Sequence, residues 1–235
     1  MLEFVAVAVG EGAPYGCALC APQAAPEYLP SADVITSIRE AAVTWTAGPG
    51  PNIVLGGPEP FGHPELPVLV AACVEAGVQR IALETDGAAL SVPANALGVL
   101  RSGVRHLLVR LTDAEAGNGD AMGGRPGRTR DAFAGVRVYL AAAEDAGLVV
   151  SVTAIVPVCR HNAGSLSATV AELASLGVAA ARLVPSGDAG ASASALLAAA
   201  CDTGMVNRLW VEVDPALPLP ASHALHTVPG EVRVG

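Results

Sequence analysis

Residues 75–83 read EAGVQRIAL, and this segment contains the helix–glycine–strand unit that recurs along the chain. A helical stretch ends at a glycine, where a left-handed C-cap is unstrained, and an apolar strand begins within a few residues. The phrase returns as RSGVRHLLV at 101–109, DAGLVVSV at 145–152 and SLGVAAARL at 175–183. This alternation of helix and strand predicts right-handed βαβ units and a parallel sheet.

The same pattern, followed along the whole chain, predicts an α/β fold of partial (β/α)6-type barrel, TIM-like but open, with parallel strands. The chain supplies six or seven units, whereas a closed barrel of this kind needs eight. We expect the barrel to occupy 1–214 and an irregular tail with four prolines, 215–235, to pack on the same domain. The predicted strands are 3–9, 52–56, 80–84, 106–112, 149–156, 180–184 and 209–213, and the predicted helices are 31–46, 64–76, 92–102, 129–146, 165–176 and 191–203.

Composition excludes several classes of function. The 22 acidic residues outnumber the 13 basic ones and the arginines are scattered, so we expect no nucleic acid partner. Every basic residue is Arg, and the absence of Lys from this chain excludes Schiff-base, pyridoxal-phosphate and Walker-A lysine chemistry within it. No apolar run reaches the roughly 18 residues that cross a bilayer, so no membrane is expected. Five cysteines do not form a disulfide framework in a chain of this length, which predicts a reducing, cytoplasmic location.

The loop after the first predicted strand, residues 10–22, reads GEGAPYGCALCAP. In parallel α/β folds ligands bind at the carboxyl ends of the strands, where this loop lies. Cys17 and Cys20 can ligate a metal or form a redox pair. Zinc normally takes four ligands and the chain has no second such pair, while the prolines after Cys20 disfavour the helix that a thioredoxin-like pair opens. Taken alone, the pair is ambiguous.

The loop after the second predicted strand, residues 55–66, reads LGGPEPFGHPEL. Gly56 and Gly57 allow a ligand to approach the backbone closely, and the prolines on either side of Glu59 hold its carboxylate in place as an acceptor. A rigid turn without any ligand is the alternative interpretation of the same residues.

Taken in chain order, these motifs resemble the radical S-adenosylmethionine superfamily over about residues 3–185. The cysteine loop comes first, GGPEP at 56–60 is similar to the GGxEP motif, and TDG at 85–87 stands where Thr-Asn-Gly is frequent. The segment DAMGGRPGRTRDAFAGVRVYLAAAEDAGL and the strand VSVTAIVPVCRHN continue the series. The resemblance implies the partial barrel, S-adenosylmethionine as cofactor and a [4Fe–4S] cluster.

The cysteine loop departs from the superfamily in one position. Its members carry C-x3-C-x2-C, which supplies three thiolates to the cluster, whereas this chain reads A-x3-C-x2-C with Ala13, Cys17 and Cys20. The resemblance therefore implies only Cys17 and Cys20 as metal ligands. Glu11 and Cys159 are two alternative sources of a third ligand, and a carboxylate oxygen is a poor match for the softness of an iron–sulfur cluster.

The cofactor-binding side of the resemblance is better preserved. The backbone of the GGPEP loop would meet the amino end of S-adenosylmethionine, and the residue before the second cysteine would lie near the adenine. Alternation on the fourth predicted strand aims Arg110 and Thr112 into the same cavity, where Arg110 either holds a carboxylate or pairs with Asp113 or Glu84. The implied cofactor-binding residues are Leu19, Gly56, Gly57, Pro58, Glu59, Thr85, Arg110 and Thr112.

Two functions therefore stay open. One is a cluster-deficient protein, a pseudoenzyme, that still binds S-adenosylmethionine or acts with a catalytic partner protein. The alternative is an active small radical S-adenosylmethionine enzyme whose [4Fe–4S] cluster is held by Cys17, Cys20 and a non-standard ligand. The expected substrate is a small molecule or a peptide, and no catalytic residue can be assigned from the sequence.

Overall fold

The computed structural model describes residues 4–11, 17–20 and 25–227, and within them the main element is a seven-stranded sheet. Its strands follow the order β1-β4-β5-β6-β7-β8-β9, and every neighbouring pair is parallel. Within the described part of the chain β1 and β9 do not pair with each other, so the sheet is open, and the predicted partial barrel is confirmed. The strands are β1 Val5–Ala8, β2 Gly10–Glu11, β3 Glu27–Tyr28, β4 Asn52–Gly56, β5 Arg80–Thr85, β6 His106–Arg110, β7 Ser151–Val158, β8 Ala180–Pro185 and β9 Trp210–Val213.

In the part of the chain that the structure describes, seven α-helices lie between these strands, and six of them were predicted. The helices are α1 Ser31–Thr44, α2 Leu66–Glu75, α3 Pro93–Arg101, α4 Ala116–Gly123, α5 Arg128–Asp145, α6 Leu166–Leu176 and α7 Ala193–Val206. A further small sheet, formed by β2 and β3, is antiparallel and was not predicted.

Helix α4 is the element that the sequence prediction missed, because residues 113–128 lie between the predicted strand 106–112 and the predicted helix 129–146. Its sequence AGNGDAMG contains three glycines and an asparagine, which all have low helix propensity. The helix forms because Glu115 caps it: the carboxylate accepts hydrogen bonds from the backbone N–H groups of Gly117, at 3.0 Å, and Asn118. Tertiary contacts of α4, described below, add to this local support.

The core lies between the helices and the convex face of the sheet. On β6, for example, Leu107 and Val109 are buried among the helices, whereas Leu108 and Arg110 alternate onto the concave face. The predicted glycine caps are also present, since Gly77, Gly103, Gly147 and Gly177 all have positive φ angles where a helix gives way to a strand.

The chain after residue 214 remains in contact with the sheet as far as it is described. Residues Ala221–His226 form a short 3₁₀ helix, and the His226 ring is hydrogen-bonded to the carbonyl of Val211 at 2.6 Å. Thr227 forms a parallel bridge with Val213. Residues 228–235 lie outside the described part, so the domain boundary at 214 stays a prediction.

Among the described residues, no helix combines the length and the apolar character that crossing a membrane requires.

Candidate functional site

Three cysteine side chains meet at the carboxyl edge of the sheet. Cys17 and Cys20 lie in the turn that follows β1 and β2, and Cys159 comes directly after β7. Their three sulfur atoms all lie within 4.8 Å of one another. Of the two alternatives for a third ligand, Cys159 therefore joins the predicted pair, while the exposed Glu11 is not part of this group. Ala13 lies outside the described residues.

The turn that carries Cys17 and Cys20 is held by its own backbone and by two distant elements. The N–H of Cys20 donates to the carbonyl of Cys17 at 2.8 Å, which closes the turn. The N–H of Ala18 donates to the carbonyl of Met122 in α4 at 2.7 Å, and the N–H of Cys17 donates to Ser186 Oγ, after β8, at 3.2 Å. Met122 also packs against Cys17 and Cys159 in a small buried cluster. The unpredicted helix α4 thus supports the cysteine turn.

Cys159 is fixed by the side chain of Asn162, which is 1% exposed. The Asn162 Oδ1 atom accepts a hydrogen bond from the N–H of Cys159 at 3.0 Å. Its Nδ2 atom donates to the carbonyls of Thr112 and Pro157, each at 2.7 Å. A single amide therefore ties the exits of β6 and β7 together around Cys159. Sequence reasoning did not assign this role to Asn162, because its partners are known only once β6 and β7 are paired.

Burial and the neighbouring thiols disfavour the thiolate form of Cys20. Burial, hydrogen bonds with the thiols of Cys17 and Cys159, and the charges that those groups would carry as thiolates raise the pKa of Cys20 to about 12. Burial is also the largest cause that raises the pKa of Cys159. Three adjacent thiolates are unfavourable without a compensating positive charge, which a metal centre supplies. Three thiolates close together are donor atoms that suit a metal ion.

The GGPEP loop brings its backbone close to the end of the first strand. Gly57 has a φ of 94°, and a Cβ atom built on it would lie 3.2 Å from the carbonyl oxygen of Gly10. A Cβ atom on Gly56 would come within 2.7 Å of Glu84 Oε2 on the neighbouring strand β5. Glycine is therefore required at position 57 by its backbone conformation, whereas a larger residue at position 56 would have to displace the Glu84 side chain. Pro58 is buried in the same loop.

Glu59 and Thr85 connect the loops that follow β4 and β5. The Glu59 carboxylate accepts hydrogen bonds from the Thr85 hydroxyl at 2.6 Å and from the N–H of Asp86 at 2.7 Å. Thr85 is fully buried and accepts a hydrogen bond from the N–H of Gly87 at 3.0 Å. Both side chains fix the conformation of the loops after β4 and β5, which form part of the rim at the carboxyl edge of the sheet. They therefore position any molecule that binds at this rim.

The three remaining residues predicted to bind the cofactor lie in different environments. Arg110 forms a salt bridge with Glu84, which is one of the two partners considered from the sequence. The hydroxyl of Thr112 donates to the carbonyl of Gly119 at 3.0 Å and so helps to place α4. Leu19, between the two cysteines of the turn, has 46% of its surface exposed.

No protein-family model matches the sequence, and no curated protein matches it. Solved structures do match the fold. SuiB of Streptococcus suis bound to S-adenosylmethionine has a TM-score of 0.66 and 11% identity, covering 91% of this chain and 51% of that one. This chain thus spans about half the length of the SuiB chain that it matches.

Two other solved structures give the same fold. Methylornithine synthase, PylB, has a TM-score of 0.58 and 10% identity over 89% of this chain and 64% of that one. The radical S-adenosylmethionine methyltransferase TsrM of Kitasatospora setae, with cobalamin and a [4Fe–4S] cluster bound, has a TM-score of 0.53 and 14% identity over 78% of this chain and 36% of that one. The chain has the partial-barrel fold of the radical S-adenosylmethionine enzymes.

Proposed function

We propose that this chain is a radical S-adenosylmethionine protein whose [4Fe–4S] cluster is held by Cys17, Cys20 and Cys159. The observation that carries the proposal is the meeting of these three sulfur atoms within 4.8 Å at the carboxyl edge of a radical S-adenosylmethionine fold. The superfamily motif has a cysteine where this chain has Ala13, so the loop provides one thiolate fewer than usual. In this proposal Cys159, which follows β7, supplies the third thiolate.

The donor set fits such a cluster. Thiolates are the ordinary protein ligands of iron–sulfur clusters, and three of them leave one iron of a four-iron cluster open to a further ligand. Cys17 and Cys159 are buried, and Cys20 is exposed, so the site faces solvent on one side. A cluster bound by these three residues would supply the electron for reductive cleavage of the sulfonium bond of S-adenosylmethionine.

The rim of the barrel supplies the rest of the cofactor site. We assign the backbone of Gly56, Gly57 and Pro58 to the amino end of S-adenosylmethionine and the exposed side chain of Leu19 to its adenine. Glu59 and Thr85 keep this rim in shape through the hydrogen bonds described above. Thr112 completes the proposed cofactor set from the exit of β6. Arg110 was predicted for the same set, but its salt bridge to Glu84 holds it on the concave face of the sheet, where we assign it to the substrate.

Reconstitution of the protein with iron and sulfide under anaerobic conditions tests the cluster. We expect about four iron and four sulfide per chain, together with the broad visible absorbance of a cluster. The variants C17A, C20A and C159A should lose most of the iron. Cys73 and Cys201 are also buried but lie in α2 and α7, so C73A and C201A are matched controls that should load like the wild type. Wild-type iron and absorbance in C159A would remove Cys159 from the ligand set.

A second candidate is a single metal ion in a chain without radical chemistry. A tetrahedral zinc site, with Zn–S bonds of about 2.3 Å, places its sulfur atoms about 3.8 Å apart, so three thiols within 4.8 Å also suit one ion. Elemental analysis of the protein as purified separates the two cases. Zinc without sulfide would favour the cluster-deficient protein, and calorimetric titration with S-adenosylmethionine would then show whether it still binds that cofactor.

A substrate that is a small molecule or a peptide fits either form. A peptide is supported by the fold neighbour SuiB, which in one structure is bound to its precursor peptide SuiA. The cluster-deficient form would also need a catalytic partner protein, because without a cluster it would not carry out radical chemistry alone.

A further inference from the structure

The concave face of the sheet carries two arginines in one layer. Arg110 on β6 and Arg182 on β8 are both in register with Ile155 on the intervening strand β7. Their neighbours on either side, such as Val109 and Leu183, are buried against the helices, so both arginines alternate onto the concave face. Because adjacent strands lie about 4.8 Å apart, the two arginine Cα atoms are separated by about 10 Å across Ile155.

Each arginine is held from the outer side by a carboxylate on the next strand. Arg110 forms a salt bridge with Glu84 on β5, and Arg182 Nε lies 3.0 Å from Glu212 Oε2 on β9. Across the sheet from β5 to β9, the two arginines therefore lie in the middle and the two carboxylates lie outside them. The carboxylates fix the direction of the two guanidinium groups, and the positive charge is concentrated at the middle of the concave face.

This layer is accessible from solvent. The Arg110 and Arg182 side chains retain 17% and 20% of their surface although both are paired. The strand β1 at one edge of the sheet presents only alanines, Ala6 and Ala8, and both are exposed. Along β1, the described residues on the concave face are therefore small.

The layer lies below the thiol group on the same face. Cys159 follows Ile155 by four residues along the chain, and Ser186, which accepts the hydrogen bond from Cys17, follows Arg182 by four residues. At about 3.3 Å per residue of strand, four residues correspond to about 13 Å. A molecule anchored at the arginines and reaching upward would thus end near the proposed cofactor site.

We infer that the concave face binds a carboxylate of the substrate between Arg110 and Arg182. The inference rests on the proposed function and deepens it by naming the substrate class: a compound that carries a carboxylate, supplied either by a small organic acid or by an acidic side chain of a peptide. Guanidinium groups match carboxylates in charge and in geometry, which favours them over neutral substrates of the same shape.

Calorimetric titrations of the iron-loaded protein, in the presence of saturating S-adenosylmethionine, test this inference. The probes are glutarate, its neutral analogue glutaramide, and the capped peptides Ac-Ala-Glu-Ala-NH2 and Ac-Ala-Gln-Ala-NH2. We expect each carboxylate probe that binds to do so at least tenfold more tightly than its neutral counterpart. Binding of glutarate alone assigns the carboxylate to a small acid, and binding of the glutamate peptide alone assigns it to a peptide.

The variants keep charge balanced so that an unpaired carboxylate is not left behind. R182Q/E212Q replaces both members of one pair and should weaken carboxylate binding at least tenfold. R137Q/E172Q replaces an exposed salt bridge between α5 and α6, in which Arg137 Nη2 lies 3.0 Å from Glu172 Oε1. This control variant should leave carboxylate binding unchanged. Equal affinity of R182Q/E212Q and the wild type for the carboxylate probes would overturn the inference.

Iron content, sulfide content and S-adenosylmethionine binding are measured on the same preparations. Normal values for these three quantities with no preference for carboxylates overturn the inference and leave the proposed function intact. Carboxylate binding that S-adenosylmethionine abolishes also overturns it, because the arginines would then serve the cofactor's own carboxylate. Absence of iron and sulfide counts against the proposed function. The metal and sulfide analyses detect this outcome independently of the carboxylate titrations.

Discussion

The hydroxyl of Thr85 donates a 2.6 Å hydrogen bond to Oε1 of Glu59 and thereby joins the loops that follow β4 and β5. The second carboxylate oxygen of Glu59 accepts the N–H of Asp86 at 2.7 Å. The acid of the GGPEP motif is thus engaged within the protein, and its importance lies in holding the rim on which the proposed cofactor site depends.

The variant E59A should destabilise the protein and weaken S-adenosylmethionine binding together. It leaves the buried Thr85 hydroxyl and the Asp86 N–H without their acceptor, which costs about 1–3 kcal/mol of the free energy of unfolding. Urea unfolding and calorimetric titration with S-adenosylmethionine measure the two effects. E40A, on the exposed face of α1, is the control that should change neither. A wild-type unfolding midpoint in E59A would show that the bridge contributes no stability.

Asn162 should act as a positioning residue for Cys159. In N162A the N–H of Cys159 and the carbonyls of Thr112 and Pro157 lose their shared partner, so the loop after β7 should loosen without loss of any thiol. We expect the reconstituted variant to release iron to a chelator several-fold faster than the wild type. N207A, at the exposed end of α7, provides the comparison. Equal release rates in N162A and N207A would rule out this role.

The proximity of the three thiols makes a specific prediction about oxidation of the metal-free protein. Mild oxidation should form one disulfide among Cys17, Cys20 and Cys159, because their sulfur atoms are already within 4.8 Å of one another. Cys73 and Cys201 are buried in α2 and α7 and do not belong to this group of three, so they should remain as thiols. Peptide mapping by mass spectrometry identifies the pairs. A disulfide that includes Cys73 or Cys201 would be inconsistent with this arrangement.

Packing between α5 and the loop after β5 should make one glycine irreplaceable. A Cβ atom on Gly135 would lie 2.0 Å from the carbonyl oxygen of Gly87, so G135A must displace backbone and should lower the free energy of unfolding by about 2–3 kcal/mol. Gly98 in α3 has open space around its Cβ position, and G98A should instead stabilise the protein by about 0.5–1 kcal/mol through helix propensity. Urea unfolding of both variants measures this difference, and the same sign for both would contradict the packing argument.

His106 should make the protein less stable in mildly acidic solution. Burial, and secondarily the charge of Arg80, lower the pKa of His106 below its usual value of 6.5. Below pH 6.5 the unfolded chain therefore binds more protons at this residue than the folded chain, so stability falls as the pH falls through this range. In H106Q the difference between the free energies of unfolding at pH 7.5 and pH 5.5 should shrink. An unchanged difference would show that the residue does not contribute.

The order of strands and helices follows from local sequence patterns, and these were sufficient to predict the open parallel barrel. Apolar runs, glycine caps and strand-end loops act over a few residues, so residues such as Gly77 and Gly103 could be interpreted without knowing what packs against them. Local patterns also explain why helix α4 was not predicted, because its glycine-rich sequence has low helix propensity. The cap at Glu115 and the contact with the cysteine turn stabilise the helix in spite of this low propensity.

The sequence by itself also determined that Cys17 and Cys20 form a pair and that a third ligand is absent from position 13 of their loop. Only the tertiary structure shows that Cys159, and not Glu11, lies beside the pair, because the distance from Cys159 to the pair depends on how strands far apart in the chain are placed along one sheet edge. The same holds for Arg110 and Arg182, which become neighbours across Ile155 through strand register. Local patterns specify elements, whereas these sites are made by contacts between distant elements.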